Sequence, residues 1–488
     1  MIYFMVLLSA ISLLSGDPYP FYFKNDVMDG TGRIINQPSG QSLSKSDYDV
    51  AIIGAGITGL AAAVALKRLV PDLRICVCEK STNFRPVGAL VGLFPNGMTA
   101  LAGICPDLVQ NIRKDASAYL GTIQSDSNGN VVRENLQQRS PNGPLMYVWF
   151  LLQKHLASSL RSSSPNQSVI HLGKFFEKFE INRQTNLVKV IVRDTRDRCE
   201  LKENHPSQSI SSFTCRVLIG ADGLHSKVRS QLLKKKGISF VERFASYNRV
   251  MYRAAVDIHH IPRNIRPAKR GVSYTYRCGE VGKVFAFHES VNGILTFTAT
   301  IIPDQIPESV EINHNHSSSN TTSTNRLFEN SKRRLQHYFS TYPSTVKSII
   351  EYTNASSIHE NMVYDIDVPK KWSDGPVVII GDAAHAMTPS LGQGGNVGLE
   401  DSCELAHVLA PIMMNKNYSC ISSVLEDFWR ERFPRVKEIH DKSRQQAIAR
   451  NKNNDAASTF RQRNGDFYAR LYNWKPTFRS KLSTNSSM

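Results

Sequence analysis

The sequence predicts an α/β protein with two interleaved domains, one built on a parallel sheet and one mostly antiparallel, followed by a helical C-terminal region. Three observations predict this fold. An apolar strand at residues 50–53 leads through a glycine-rich turn into an Ala/Leu-rich helix, and a second strand ends at Glu79, which together indicate a βαβ unit. Further β-branched and aromatic runs lie at residues 187–193, 215–219, 284–288 and 294–302. From Leu405 onward the pattern is helical and increasingly basic.

The composition is that of a globular chain. The 488 residues are 41% hydrophobic and 21% charged, which is too mixed for a disordered or collagen-like chain. The net charge of +17 favours anionic partners without identifying one. Eight cysteines without a C-x-x-C pair argue against a disulfide scaffold and against zinc, and no metal site is predicted. The basic runs at 234–236 and 332–334 are short and lack interleaved aromatic residues, so no nucleic-acid partner is predicted.

The first 16 residues form an uncharged, apolar leader. Its length predicts a signal or organelle-targeting segment, which would take the chain into the secretory pathway or an organelle such as a plastid. A hydrophobic surface anchor and an ordinary buried segment are the alternatives. No run of 18 apolar residues occurs, so a membrane-spanning helix is not predicted. The leader and the basic C-terminal region together suggest peripheral membrane association.

Changes in composition also predict the domain bounds. Residues 17–46 are rich in Gly, Pro, Ser and Asn and are predicted to be a linker. A polar, low-complexity insert at 313–325 is predicted to be a loop, because it cannot bury a core. The remaining predicted bounds are 47–244 and 361–415 for the two parts of the dinucleotide-binding domain, 245–360 for a substrate domain that contains the insert, and 416–488 for the C-terminal helices.

A glycine motif joins the first strand to the first helix. Gly54, Gly56 and Gly59 form G-x-G-x-x-G, and Glu79 follows 20 positions after the last glycine. The first glycine permits a tight turn, the second lets backbone approach a pyrophosphate, and the third lets the helix pack close to the strand. The helix N-terminus then favours the phosphates, and Glu79 can accept hydrogen bonds from a ribose. The motif alone does not separate NAD from FAD.

Two further glycine-bearing turns follow apolar strands. One is the segment 220–223, with Ser226 and Arg229 close behind it. The other lies within 377–409, where Asp382 directly follows a strand and can accept hydrogen bonds from a polyol. After Pro389, four glycines between Gly392 and Gly398 let backbone approach a flat ring.

These three segments, in this order, resemble the FAD-dependent single-component (class A) monooxygenases of the para-hydroxybenzoate-hydroxylase type, and among them the zeaxanthin-epoxidase-like proteins. The resemblance covers residues 47–445 and implies a Rossmann-like FAD-binding domain. The stretch 87–101 resembles the family's glycine-rich segment that ends in Pro-Asn, and Arg432 with Arg435 resembles its later Arg-x-x-Arg. His385 and Pro389 would flank the flavin ring. The resemblance assigns FAD binding to Gly54, Ala55, Gly56, Thr58, Gly59, Glu79, Lys80, Asp222, Gly223, Arg229, Gly381, Asp382, Pro389, Gly392, Gln393, Gly394, Gly395 and Asn396.

The resemblance also implies an activity. NAD(P)H would reduce the flavin, and O₂ would form a C4a-hydroperoxide that hydroxylates or epoxidises an electron-rich aromatic or alkene. The flavin carries this chemistry, so no catalytic side chain is predicted. The substrate would be a small, apolar or aromatic molecule bound by the middle segment. Phe285, Phe287 and Phe297 would either line its pocket or form the core of a sheet, and the core is favoured.

Two departures from the family bear on function. Trp149 and Ile366 stand where the family usually carries arginines. The chain therefore need not epoxidise zeaxanthin. Two alternatives of a similar fold also stay open at this point: a flavin-dependent reductase or saturase, and a non-catalytic prenyl-binding escort protein, which would have degraded flavin motifs.

Overall fold

The computed structural model describes residues 46–84, 90–163, 169–194, 209–234, 249–266, 269–277, 283–290, 293–302, 321–452 and 463–477. The predicted leader, nearly all of the predicted linker and residues 313–320 of the predicted insert lie outside this part of the chain. None of the described helices is long and apolar enough to cross a membrane.

The strands and helices of the described residues follow one another in chain order. The strands are β1 (Tyr48–Ile53), β2 (Ile75–Glu79), β3 (Leu90–Leu93), β4 (Ser117–Ala118), β5 (Gly121–Asp126), β6 (Val131–Leu136), β7 (Leu145–Val148), β8 (Ile170–Leu172), β9 (Lys174–Ile181), β10 (Val188–Asp194), β11 (Ile210–Gly220), β12 (Val250–Asp257), β13 (Val272–Arg277), β14 (Val284–Glu289), β15 (Ile294–Ile301), β16 (His359–Met362), β17 (Ser373–Asp374) and β18 (Val377–Ile379). The helices are α1 (Ile57–Leu69), α2 (Pro95–Ile104), α3 (Pro106–Asp115), α4 (Trp149–Ser163), α5 (Lys227–Lys234), α6 (Thr321–Tyr338), α7 (Ser344–Tyr352), α8 (Asp382–His385), α9 (Gly394–Met414), α10 (Ile421–Lys452) and α11 (Gly465–Tyr472).

The first sheet has the strand order β17-β18-β11-β1-β2-β8, with β10 and β9 continuing from β11. β1 pairs in parallel with both β11 and β2, and β18 pairs in parallel with β11. Val50, Ala51 and Ile52 are fully buried, the continuous apolar pattern of a strand covered on both faces. The predicted βαβ unit and parallel sheet are therefore confirmed.

The second sheet has the order β16-β12-β15-β14-β13-β5-β6 and is mostly antiparallel. Alternate residues of its strands, among them Tyr252, belong to a second hydrophobic core together with Leu335 of α6 and Ile349 of α7. Phe285, Phe287 and Phe297 all lie in this core and are at most 2% exposed. We call this side the core face. The opposite side, which we call the open face, carries half-buried residues: Met251, Arg253, Thr275, Arg277, Val284, Ala286 and Thr298.

Two observations differ from the sequence prediction. β5 and β6 pair with the second sheet, although residues 121–136 were assigned to the first part of the dinucleotide-binding domain. Strand pairing between distant segments leaves no local signal, which explains the difference. The insert was predicted to be a loop, but α6 begins at Thr321, inside it. The weak helix formers at this end precede buried residues such as Leu335, and tertiary packing overrides local propensity. The other domain bounds stay predictions.

The C-terminal part is helical, as predicted. α9 packs against α1 and α2, and the 32-residue helix α10 packs along α9. This arrangement places the residues of α9 and α10 directly behind the carboxyl ends of β1 and β18.

Candidate functional site

The three predicted glycine turns meet at one edge of the first sheet. Gly54 follows β1, Ala221 follows β11 and Gly381 lies just after β18. The Ala221 N–H donates to the Ile53 carbonyl (2.8 Å), and the Ile380 N–H donates to the Gly220 carbonyl (2.9 Å). Because these strands are parallel, the turns share the carboxyl edge, where open α/β sheets bind ligands.

Two glycines of the first turn are required by close backbone contacts. Gly54 has φ of +104°, and a Cβ there would lie 2.3 Å from the Ala221 carbonyl oxygen. A Cβ on Gly59 would lie 2.0 Å from the Gly54 carbonyl oxygen. Gly56 differs, because no heavy atom lies within 4 Å of its Cβ position. The turn is therefore packed tightly on one side and open on the other.

Glu79 and Gln153 hold the backbone of this turn. Glu79 Oε2 accepts from the Ala55 N–H, and Glu79 Oε1 accepts from the Ser81 N–H, both at 2.9 Å. Gln153 Nε2 of α4 donates to the Ala55 carbonyl at 2.7 Å and is buried. Gln153 was missed because it lies one turn into an ordinary amphipathic helix with no motif. Of the other predicted residues here, Lys80 is exposed.

The second turn is organised by Asp222. Its carboxylate accepts from Ser226 Oγ (2.5 Å) and from the Val228 N–H (3.2 Å), which ties the turn to the start of α5. Arg229 is fully buried and donates to the carbonyls of Ala383 (3.0 Å) and Leu224 (2.6 Å). The sequence prediction placed Arg229 against FAD, but the structure places it behind the turn, where it supports the neighbouring segment. A Cβ on Gly223 would meet nothing within 4 Å.

The third turn carries an accessible carboxylate. Asp382 is exposed, and the backbone of the following loop at Gly394 lies beside its carboxylate. The surrounding protein raises the pKa of this carboxyl by removing solvent, while His385, Arg229 and Arg253 act in the opposite direction. Arg253 lies on the open face of the second sheet. The open face therefore looks onto Asp382, and we call the space bordered by Gly56, Gly223, Asp382 and Pro389 the cleft.

The loop after Pro389 is held in place by Asn396, which is fully buried. Its Oδ1 accepts from the Phe94 N–H (3.0 Å), and its Nδ2 donates to the carbonyls of Gly92 (2.8 Å) and Gly392 (2.9 Å). Gly392 has φ of +66°, a conformation that favours glycine. A Cβ on Gly394 would lie 3.8 Å from Asp382 Oδ1, so the loop borders the accessible carboxylate.

The Pro-Asn stretch at Pro95 and Asn96 packs on the same loop. Asn96 Nδ2 donates to Gln393 Oε1 (2.9 Å) and to Glu400 Oε1 (2.8 Å), and all three side chains are buried. These contacts place the Pro-Asn end of the stretch 87–101 beside the predicted cofactor loop. Residues 87–89 of that stretch lie outside the described residues.

A buried ion network lies behind the loop. Arg432 of α10 donates to Asp401 (2.8 Å) and Glu400 (3.0 Å), and Arg435 donates to both oxygens of Glu400 at 2.8 Å. Burial alone would raise the pKa of Asp401, but His385 and Arg432 lower it below its ordinary value. The predicted Arg-x-x-Arg residues therefore position the loop from inside the protein.

His385 belongs to this network as well. Its Nε2 lies 2.5 Å from Asp401 Oδ2, and the side chain is fully buried. The sequence prediction placed His385 beside the flavin ring, but full burial removes it from the cleft surface. Pro389, predicted at the same place, is exposed and fits that position.

The two departures from the family have structural counterparts. Ile366 is fully buried, and the flanking Asp365 and Asp367 both accept hydrogen bonds from Arg444 of α10 at 2.8 Å. Arg444 thus brings a guanidinium group to the segment around Ile366, although it comes from a different part of the chain than the family's arginine. Trp149, the first residue of α4, is half-buried and packs against the hydrophobic core around the first sheet, and Gln153 one turn later contacts the glycine turn.

The residues around the cleft fit FAD. Gly56 and Gly223 border open space, and the N-terminal turn of α1 carries no acidic side chain that would repel phosphates. Glu79 is the last residue of β2, where an acidic side chain can accept hydrogen bonds from a ribose. Asp382 is exposed and can accept hydrogen bonds from the hydroxyl groups of a polyol chain. Among the described residues, no group of three His, Cys, Asp or Glu side chains could hold a metal ion.

Fold and site together define a dinucleotide-binding protein of the open α/β class, whose ligand site lies at the carboxyl edge of a parallel sheet. Residues 47–443 match the protein family described as FAD binding domain. The chain belongs to this family of class A FAD-dependent monooxygenases and is an enzyme with FAD as its cofactor. The narrower resemblance to zeaxanthin-epoxidase-like proteins stays a prediction.

Similar proteins match this chain over most of their length. Salicylate hydroxylase from Pseudomonas putida is 24% identical over 414 residues, which are 81% of this chain and 85% of that protein. FAD-dependent urate hydroxylase from Klebsiella pneumoniae is 24% identical over 396 residues, with coverage of 80% and 88%. The crystal structure of Klebsiella pneumoniae HpxO complexed with FAD and uric acid has a TM-score of 0.61 at 21% identity, covering 90% of this chain and 96% of that chain.

Proposed function

We propose that this enzyme uses NAD(P)H and O₂ to insert one oxygen atom into a small electron-rich ring or alkene. One observation carries the proposal. The three glycine turns and the accessible carboxylate of Asp382 border one cleft, and the open face of the second sheet looks onto it. Such a cleft can hold a dinucleotide on one side and a small molecule on the other.

Each side of the cleft has a role in this proposal. When bound, FAD supplies hydride acceptance and oxygen activation. The turn at Gly56 and the N-terminus of α1 would hold its pyrophosphate, and Glu79 would hold the ribose. Asp382 would accept hydrogen bonds from the ribityl hydroxyls. The backbone of the loop from Pro389 to Asn396 would lie along the ring, where close packing would limit the access of water.

The activities of similar proteins support hydroxylation over epoxidation. Salicylate hydroxylase, FAD-dependent urate hydroxylase and 3-amino-4-hydroxybenzoate 2-monooxygenase all name small ring compounds. A reductase or saturase of the same fold is the competing activity. The two differ in the fate of O₂, because only a monooxygenase transfers an oxygen atom to its product.

The test is made on FAD-loaded protein. A ring compound that accelerates NAD(P)H oxidation, suppresses free peroxide and acquires ¹⁸O from ¹⁸O₂ supports the proposal. We expect Asp382→Asn to lose FAD retention on gel filtration, while Asp466→Asn, which changes an exposed carboxylate in α11, keeps the wild-type flavin content. Turnover that yields only peroxide with every compound, or product without ¹⁸O, contradicts the monooxygenase assignment.

We also propose that the apolar leader at residues 1–16 targets the chain to the secretory pathway or an organelle and that the mature protein associates peripherally with membranes. The support is the uncharged apolar composition of the leader together with the basic C-terminal region. Fusion of the leader to a fluorescent reporter tests the targeting, and a reporter that stays in the cytosol contradicts it. Full release of the protein from membranes at low salt contradicts the association.

A further inference from the structure

A surface cavity lies near the amino ends of the parallel strands of the first sheet, away from the cleft. It has a volume of about 160 Å³ and lies between the turn that joins β9 to β10 and the start of α10. A hydrocarbon cavity of about 150 Å³ holds one benzene molecule, so this cavity has room for a small ligand. Arg216 of β11 lines it, four residues and therefore about 13 Å before Gly220 at the carboxyl edge. The other lining residues are Gln184, Thr185, Asn186, Leu187, Tyr418, Ser419 and Ile421.

The strand pairing of the first sheet explains why space remains here. β10 pairs with β11 as far as Cys215, whereas β18 pairs with β11 from Leu218 onward. Both partners lie on the same side of β11, because β1 occupies the other side. The change of partner leaves a gap beside Arg216, and α10, which packs on β17 and β18, begins next to it. The cavity therefore follows from the topology of the sheet.

The guanidinium group of Arg216 is held in place without using its hydrogen-bond donors. Its Cζ lies 3.9 Å from the centroid of the Tyr418 ring, a cation–π contact. Its Nε lies 3.8 Å from Asp49 Oδ1, which is too far for a hydrogen bond. Asp49 instead accepts from Arg74, at 3.1 Å from Nε and at 2.7 Å from Nη2. Within the described part of the chain, the Arg216 side chain donates no hydrogen bond.

The charges around the cavity are not balanced. Two guanidinium groups, those of Arg74 and Arg216, share the single carboxylate of Asp49, and none of the lining residues is acidic. Asn186 adds an amide to the lining, and its side chain makes no hydrogen bond with the residues that the structure describes. A guanidinium group with unused donors beside an amide favours an oxyanion, which accepts two parallel hydrogen bonds from arginine.

We propose that this cavity, which we call the amino-edge site, binds a small oxyanion, the phosphate or carboxylate group of a small molecule, between Arg216 and Asn186. The amino-edge site is separate from the cleft, and this inference goes beyond the proposed function. The anion accepts a pair of hydrogen bonds from Arg216 and a further one from the Asn186 amide. It thereby joins the β9–β10 turn to β11 beside the start of α10.

Isothermal titration calorimetry on the FAD-loaded protein tests the amino-edge site. Inorganic phosphate and malonate are the two probes, and chloride keeps the ionic strength equal in all titrations. Bound FAD keeps both anions out of the predicted pyrophosphate site. We expect Arg216→Gln to weaken the binding of the anion at least about tenfold, because a charge-assisted pair of hydrogen bonds is lost.

A second variant keeps the test independent of any effect of Arg216→Gln on folding. Asn186 has φ of +56°, a conformation that glycine adopts readily, so Asn186→Gly removes the amide and preserves the turn. We expect it to weaken binding about three- to tenfold. If Arg216→Gln does not fold, Asn186→Gly decides the test.

Lys189→Gln is the matched control for charge. Lys189 is exposed on β10, two residues after Leu187, and it does not line the cavity. Its removal takes away the same positive charge close to the site and should change the affinity less than about twofold. An equal loss of affinity in Lys189→Gln and Arg216→Gln would indicate general attraction to a basic surface and overturns the proposal.

The remaining outcomes are equally specific. Binding of phosphate alone, or of malonate alone, supports the amino-edge site and identifies which of the two groups it accepts. No binding of either anion at about 10 mM, or unchanged affinity in a folded Arg216→Gln variant, overturns the proposal. The flavin content and NAD(P)H oxidation of the same samples report separately on the proposed function, because the amino-edge site does not border the cleft.

Discussion

Glu400 is the carboxylate on which the buried network behind the cleft depends. It accepts hydrogen bonds from Asn96, Arg432 and Arg435 and is fully buried. Removal of one member of a buried ion pair leaves its partners charged and desolvated, which costs far more than the pair contributes. The network therefore makes the packing of α9 against α10 sensitive to single substitutions.

We expect Glu400→Gln to lower the free energy of unfolding by about 3–5 kcal/mol, because two guanidinium groups lose their shared carboxylate. Urea unfolding of the FAD-loaded protein measures the change. Glu426→Gln is the control, since Glu426 forms an exposed pair with Arg430 one helical turn away and should cost less than about 1 kcal/mol. Similar losses in the two variants would contradict the importance of the buried network.

His288 makes the stability of the second sheet depend on pH. Burial lowers its pKa to about 4, below the ordinary value of 6.5, and its side chain is 2% exposed. The unfolded chain then binds more protons than the folded one between these two values. The stability that depends on a neutral His288 is therefore fully present above about pH 6.5 and is lost as the pH is lowered towards 4.

The pH dependence can be assigned to His288 by substitution. Between pH 7 and pH 4.5, the free energy of unfolding of His288→Gln should fall by about 2–3 kcal/mol less than that of the wild type. Urea unfolding at the two pH values gives both numbers. His260→Gln, at an exposed histidine, should keep the wild-type dependence. An unchanged dependence in His288→Gln would show that its ring titrates normally.

At the scale of secondary-structure elements, the turn between β1 and α1 contains glycines with two different roles, one in packing and one in ligand binding. Gly59 lets the helix contact the turn, because a Cβ there would lie 2.0 Å from the Gly54 carbonyl oxygen. Gly56 has open space at its Cβ position and is the predicted neighbour of the pyrophosphate. One glycine is needed for the fold and the other for the ligand.

Alanine substitution should separate these two requirements. Gly59→Ala should lower the free energy of unfolding of the FAD-free protein by about 1–3 kcal/mol, because the helix must move away from the turn. Gly56→Ala should change it by less than about 1 kcal/mol and weaken FAD binding. Urea unfolding and the quenching of FAD fluorescence measure the two effects. If Gly56→Ala binds FAD as tightly as the wild type does, the pyrophosphate does not lie at this turn.

The elements that could be predicted from sequence are those with a local signal. β1, α1 and β2 are marked by an apolar strand, a glycine turn and an alanine-rich helix, and β14 and β15 by runs of β-branched and aromatic residues. The pairing of β5 with β13 joins segments about 150 residues apart, so no local pattern specifies it. β12 was also missed, because arginines and small residues interrupt its apolar alternation.

For the whole molecule, the cleft depends on segments that are far apart in sequence. Gly56, Gly223, Asp382 and Pro389 come from three separate strand–turn units and one loop. Their motifs predicted that these residues would come together. Gln153, Arg253 and the network around Glu400 were missed or given other roles, because each acts through tertiary contacts that no sequence spacing encodes.

A ligand that touches all of these segments should stabilise the folded chain as a unit. With free FAD at 100 times its dissociation constant, we expect the free energy of unfolding to increase by about 2.7 kcal/mol. Thermal and urea unfolding at increasing FAD concentrations measure the increase. Riboflavin, which lacks the phosphates and the adenosine, should give a much smaller shift at equal concentration. A midpoint that does not depend on FAD would contradict binding to the folded state.

The alternation of buried and half-buried residues in the first half of β12 also limits how this scaffold can acquire new specificities. Tyr252 and Ala254 belong to the core, whereas Met251 and Arg253 are half-buried and lie on the open face. Insertion or deletion of one residue would exchange the two sets and drive guanidinium groups into hydrocarbon. New specificities are therefore expected to arise by substitution at positions such as Met251 and Arg253, which are half-buried and lie outside the core.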